Sequence, residues 1–196
     1  MKAVLFVLVL LAGLPGAPST YGRVRYVGDS LTWAAPGYIE AAGGGNGVAV
    51  YYLANAVLYL EEAGHWGETV IQLGGEAVSG ADRLYNRNSE LFARRYRQVV
   101  DAALAHSDKV AIVNVPWLNW QPDEAAKAQE FNDIIHGIAG EYGICVADAW
   151  AVMEACGADC IGEDDRPNEA GYALIGREVW RCRAGTRIYL PVAAQQ

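Results

Sequence analysis

Basic residues are scarce in this chain. Fifteen Lys and Arg stand against 23 Asp and Glu over 196 residues, a formal net charge of −8. An acidic surface repels phosphate backbones, so nucleic acid is excluded as a partner. No basic amphipathic stretch is present to favour an anionic membrane surface. Histidine is rarer still: His65, His106 and His136 are the full set. Cysteine is absent until Cys145, and the four present (Cys145, Cys156, Cys160, Cys182) include no CxxC pair and no neighbouring histidine. Disulfides therefore fit better than a zinc site, and the pairing stays open among three possibilities. Internal repeats, low-complexity segments and phosphate-binding motifs are also missing. The glycine run at 43–47 precedes an apolar strand, whereas a dinucleotide fingerprint follows one. No cofactor and no metal is expected.

What is present reads as one exported domain. "MKAVLFVLVLLAGLPGAPST" joins Lys2 to a short apolar run and then small residues, the layout of a secretory signal peptide. The run is too short to span a bilayer comfortably, which takes roughly 20 apolar residues. Cleavage after Ser19 is expected, giving a secreted domain over 20–196 with no stable membrane span. Hydrophobic content of 53% and charged content of 19% suit a globular core.

Five nearly continuous apolar runs follow, at 24–29, 47–54, 68–75, 109–117 and 144–150. Continuous runs of this kind are strands buried on both faces. Helical spacing is expected over 89–107 (Phe92, Tyr96, Val99, Val100, Ala103) and 123–142 (Phe131, Ile134, Ile135, Ile138), with Gly143 as a C-cap. A last helix follows Pro167-Asn168. The alternation predicts an α/β fold: a three-layer α/β/α sandwich on a five-stranded, mostly parallel, flavodoxin-like sheet. The tail 187–192 reads equally as edge strand or extended segment. Sites in such folds form beyond the C-terminal strand ends. That rule selects Gly28-Asp29-Ser30, Asn55, Gly74-Gly75-Glu76, Pro116-Trp117 and a loop after Trp150.

At those positions a resemblance emerges. "VGDSLT" after strand one resembles the first block of the SGNH, or GDSL, hydrolases, and "DDRPNEAGYALIG" is similar to their last block. The resemblance implies an esterase-like α/β fold and an acyl-transfer site. In that family a serine attacks, a histidine takes its proton, an acid three residues earlier orients the histidine, and a glycine and an asparagine help bind the oxyanion. Carried over by position, Ser30 holds the nucleophile place and Glu163 that of the orienting acid. Arg166 replaces the histidine and Glu76 replaces the asparagine. Asn55 or Ala56 occupies the place of the second-block glycine.

A guanidinium stays protonated at neutral pH and cannot serve as the base. An ionised carboxylate offers no N–H to an oxyanion. The expected protein is a degenerate relative, non-catalytic or very weak, that keeps the serine and a ligand cleft. The alternative is an active serine ester hydrolase or acyltransferase with a non-histidine base. An acylated lipid or glycan is the expected occupant in both cases. Other readings concern the cleft's walls: a Glu76–Arg166 ion pair, Glu163, Asp164 and Asp165 as a solvated loop or a calcium site, and Trp33, Tyr38, Trp117 and Trp120 as packing or as a binding wall.

Overall fold

A computed structural model describes residues 24–30, 38–39, 42–50, 52–80 and 88–185. The expected signal peptide, Trp33 and the 187–192 tail fall outside them. Five strands form one sheet: β1 (Val24–Gly28), β2 (Asn46–Ala49), β3 (Glu68–Gln72), β4 (Val110–Val113) and β5 (Cys145–Ala147). Their order is β2-β1-β3-β4-β5, and every pairing is parallel. The helices described are α1 (Leu53–Glu62), α2 (Gly75–Val78), α3 (Ser89–Ala105), α4 (Pro122–Tyr142), α5 (Ala149–Cys156) and α6 (Glu169–Gly185).

Register explains the two cores. Val48, Val27, Ile71, Ile112 and Val146 stand side by side across the sheet. They face a core built from α1, α3 and α4, in which Phe92 stacks on Phe131 at 4.0 Å. One residue earlier in each strand, Gly47, Tyr26, Val70, Ala111 and Cys145 form the neighbouring row. Most of that row faces α5 and α6, where Met153, Ile175 and Val179 are buried. Alternation at period two thus sends one apolar row to each face, and the three-layer α/β/α sandwich follows.

Several expected boundaries shift. The second strand ends at Ala49 rather than residue 54, because Leu53, Ala56 and Leu60 bury one stripe of α1. The fourth stops at Val113, close before Pro116, which lacks an N–H. A loop was expected after Trp150. Instead α5 runs through it, opened by Asp148, whose side chain accepts from the Ala151 N–H. The expected cap at Gly143 is present, in the left-handed region at φ 66°.

Two features at the lower, N-terminal end of the sheet were invisible in the sequence. Arg25 is fully buried. Its Nε donates to Thr69 Oγ1 at 2.6 Å, and the rings of Tyr59 and Trp66 lie 6.0 and 5.6 Å from its guanidinium carbon. Arg183 near the end of α6 pairs with Glu68 at 3.0 Å and donates to the Tyr26 hydroxyl at 3.1 Å. Two disulfides, Cys145–Cys182 and Cys156–Cys160, decide the open pairing. The first ties β5 to α6. The second closes the turn that leaves α5.

Candidate active site

The chain leaves β1, makes β2 on one side, then crosses back to make β3 on the other. The upper ends of β1 and β3 therefore flank the topological switch point, where a crevice opens in sheets of this kind. Asp29 continues the ladder by donating its N–H to Gln72 O at 3.1 Å. Its carboxylate is 2% exposed and accepts the Gly75 N–H at 2.9 Å. This bond locks the end of β1 to the turn after β3. Ser30 follows as a half-buried, helical residue.

After β3 the chain turns at Gly74, at φ 134°, where a Cβ would come 2.7 Å from Val115 Cγ2. Only glycine fits both the conformation and the contact. The turn delivers Glu76 into α2, and Ser79 Oγ donates to the Glu76 carbonyl at 3.2 Å. The loop after β4 is held from α4. Asn132, buried, accepts from Val115 N–H at 2.8 Å and donates to Val115 O at 2.9 Å. Trp120 is fixed by its indole N–H, which donates to Pro116 O at 3.1 Å.

The opposite wall is a tight loop between the short disulfide and α6. Gly162 N–H donates to Arg166 O at 2.7 Å, and Asp165 sits in the left-handed region at φ 58°. At the loop's base, Asn168 N–H donates to Cys160 O at 2.9 Å, while the Asn168 side chain accepts the Gly171 N–H at 3.1 Å. Asn119 Nδ2 donates to Asp165 Oδ1 at 3.3 Å, joining this loop to the one carrying Trp120.

Between these walls lies a cleft of about 240 Å³. Ser30, Glu76 and Ser79 line one side, Asp164, Asp165 and Arg166 the other, with Leu118 and Trp120 also at its surface. Three carboxylates thus share the space with one guanidinium. Beneath them Tyr172 is buried, and burial pushes its phenol up to about 12, with Arg166 pulling the other way. Its hydroxyl has no hydrogen-bond partner among the described residues.

Three of the four residues singled out by position meet here: Ser30, Glu76 and Arg166. Glu163 is exposed and is not among the residues lining the cleft, where Asp164 and Asp165 stand instead. The expected Glu76–Arg166 ion pair is not formed among the described residues. Arg166 lies 3.9 Å from Asp164, a weak contact. No group of three or more metal-ligating side chains gathers among the described residues, so a calcium site at Glu163, Asp164 and Asp165 gains no support. Asn55 is exposed in the first turn of α1, and Tyr38 is buried in the core that faces α5 and α6. Leu118, Asn119 and Ser79 were missed. Asn119 and Ser79 are polar residues beside apolar strand ends, a pattern too common to single out.

No histidine lines the cleft. His65 contacts Asp108 at 2.8 Å, on a segment that precedes β3. His106 caps the C-terminus of α3, before β4. His136 lies on α4, its Nε2 3.5 Å from Asn114 Nδ2.

No family profile matches the chain, and no curated protein does. Solved structures do. An alpha/beta hydrolase from the metagenome of Lake Arreo, Spain, superposes with a TM-score of 0.70 at 13% identity, over 84% of this chain and 96% of that one. A variant acetyl xylan esterase from Geobacillus stearothermophilus gives 0.66 at 17%, over 83% and 95%. A member of the lipolytic G-D-S-L family from Veillonella parvula gives 0.65 at 16%, over 81% and 96%.

Proposed function

The chain has the fold of the SGNH/GDSL hydrolases, and from that premise we propose that it is an exported binding protein in which the serine-esterase chemistry of that fold is absent or very weak. The observation carrying this reading is the company Ser30 keeps: its cleft holds Arg166 and Glu76 and none of the three histidines. Acyl transfer through serine needs a group that takes the hydroxyl proton and donors that meet the growing oxyanion. Arg166 cannot take a proton. Glu76 brings negative charge to the place where donors are needed. Loss of the base from a serine triad removes about four or more orders of magnitude in rate, and loss of an oxyanion donor about two to three more.

The occupant we propose is an acylated glycan, with an acylated lipid as the related possibility. Trp120 and Leu118 offer apolar surface beside carboxylates able to accept hydrogen bonds from sugar hydroxyls. Two of the superposing structures are named as an acetyl xylan esterase and an acetyl-xylooligosaccharide esterase. Export is supported by the N-terminal sequence and by the two disulfides. No helix among the described residues is long and apolar enough to cross a membrane.

A second reading has its own support. The Glu76 side chain makes no hydrogen bond or ion pair among the described residues, and it shares the cleft with Ser30. In an active ester hydrolase or acyltransferase it would act as the base, with Arg166 on the oxyanion.

One experiment separates the two. A fluorophosphonate probe and a short-chain aryl ester are offered to the native protein and to Ser30→Ala across about pH 5 to 9. The binding reading expects no labelling and no turnover above the variant. Labelling that depends on Ser30 would sink it. Arg166→His combined with Glu76→Asn is expected to bring measurable esterase activity to the same cleft.

A further inference from the structure

On the other side of the molecule, α1 and α3 bound a groove of about 620 Å³. Each helix carries the chain from the top of one parallel strand to the bottom of the next, so the two run in the same direction. The residues between them are small: Ala54, Val57, Ala102 and Ala105 leave the furrow unfilled. Leu58 lines the groove yet is 57% exposed, a projecting apolar side chain beside an apolar hollow.

Charge is graded along the groove. Arg95 lies in its upper part, level with the leading half of α3, whereas Glu61 and Asp101 follow near the lower ends of their helices. The separation of Arg95 from Asp101 along the axis is roughly 9 Å at 1.5 Å per residue. Arg95 donates to Gln98 at 2.8 Å and has no carboxylate partner among the described residues. Glu61 has no hydrogen bond or ion pair among them. Asp101 accepts from the Tyr142 hydroxyl at 2.6 Å.

We propose that this groove docks a second copy of the chain about a two-fold axis. An axis perpendicular to the helices, passing near Leu58 and Gln98, reverses the gradient. Arg95 then faces the partner's Glu61, and Leu58, close to the axis, packs against the partner's side of the same furrow. Isologous contact requires a patch that complements itself on reversal, and a groove with Arg95 towards one end, Glu61 and Asp101 towards the other, and Gln98 among small apolar residues between them meets that requirement. The surface lies apart from the Ser30 cleft, and the inference is independent of what that cleft binds.

Light scattering after gel filtration, from about 1 to 100 μM protein, tests it, because a homodimer responds to concentration by mass action. The expected result is a mass twice that of the chain, approached as concentration rises. Leu58→Asp and Arg95→Glu are each expected to weaken association at least tenfold with unchanged circular dichroism, and Arg95→Glu with Glu61→Arg to restore it. A monomer throughout the range overturns the proposal. So does a dimer that survives both single changes, or one that the charge exchange fails to recover.

Discussion

The two walls of the cleft are held by different means. Ser30, Glu76 and Ser79 belong to a part of the chain with no cysteine, where the site rests on packing and on hydrogen bonds such as the buried one from the Gly75 N–H to Asp29. Asp164, Asp165 and Arg166 belong to a part carrying both disulfides. Both walls depart from the SGNH pattern, the first at Glu76 and the second at Arg166, but only the second lies within a ring closed by a disulfide. A disulfide narrows the unfolded ensemble whatever side chains its ring encloses, so the second wall draws on a source of stability that the first lacks.

The largest test of this contrast is the longer closure. Cys145→Ser with Cys182→Ser opens a link with a sequence separation of 37. The chain-entropy relation then gives a loss of about 4 kcal/mol, read as a fall in the denaturant midpoint. Asp29→Ala attacks the other wall. It leaves the Gly75 N–H without its charged acceptor, a cost of about 3 kcal/mol. A midpoint unchanged within error would mean that the near wall does not depend on this bond. Cys156→Ser with Cys160→Ser opens a separation of only 4, and the same relation gives about 2 kcal/mol. This pair is expected to alter ligand affinity in the cleft more than the longer closure does, since it closes the turn leading into the Asp164–Arg166 loop.

The smallest effect is one of pH. Burial pushes Tyr26 and Tyr172 up to about 12. Each phenol holds its proton more tightly folded than unfolded, where tyrosine titrates near 10. The stability they contribute is whole below about pH 10 and is lost as pH rises towards 12. Thermal melts at about pH 9 and 10.5 should differ in the native protein. Tyr172→Phe should narrow that difference, and an unchanged gap would remove Tyr172 from the account.

Much of the architecture could be read from residue order. Four of the five apolar runs contain a strand entire, the run 47–54 overlaps β2 over its last three residues, and the stripe Phe131, Ile135, Ile138 did place α4. Strand ends were harder, because an unbroken apolar run such as 47–54 serves equally as a strand and as the first turn of a buried helix. The site was legible wherever a residue sits one or two steps past a strand, as Ser30 does. It was not legible in the loop before α6. Counting three back from Arg166 gives Glu163, yet the left-handed turn at Asp165 brings Asp164 and Asp165 to the cleft and leaves Glu163 outside. Arg25 shows the same limit in the core. Nothing in a β-branched run announces that an arginine inside it will lie between Tyr59 and Trp66.

The placement of the cysteines also sets an order of events during synthesis. The chain emerges from its N-terminus, so β1, β2 and β3 can pair before any thiol is available. Cys156 and Cys160 then appear four residues apart, with Cys145 shortly before them and Cys182 still to come. If the short ring closes first, Cys145 is left with a single remaining mate, and oxidation of that last pair fastens α6 against β5. A mispaired product would require Cys145 to react across α5 before its neighbours find each other. The native connectivity is thus favoured by the short separation of Cys156 and Cys160 as well as by the finished fold, and not by the order of emergence, which offers Cys145 to Cys156 first.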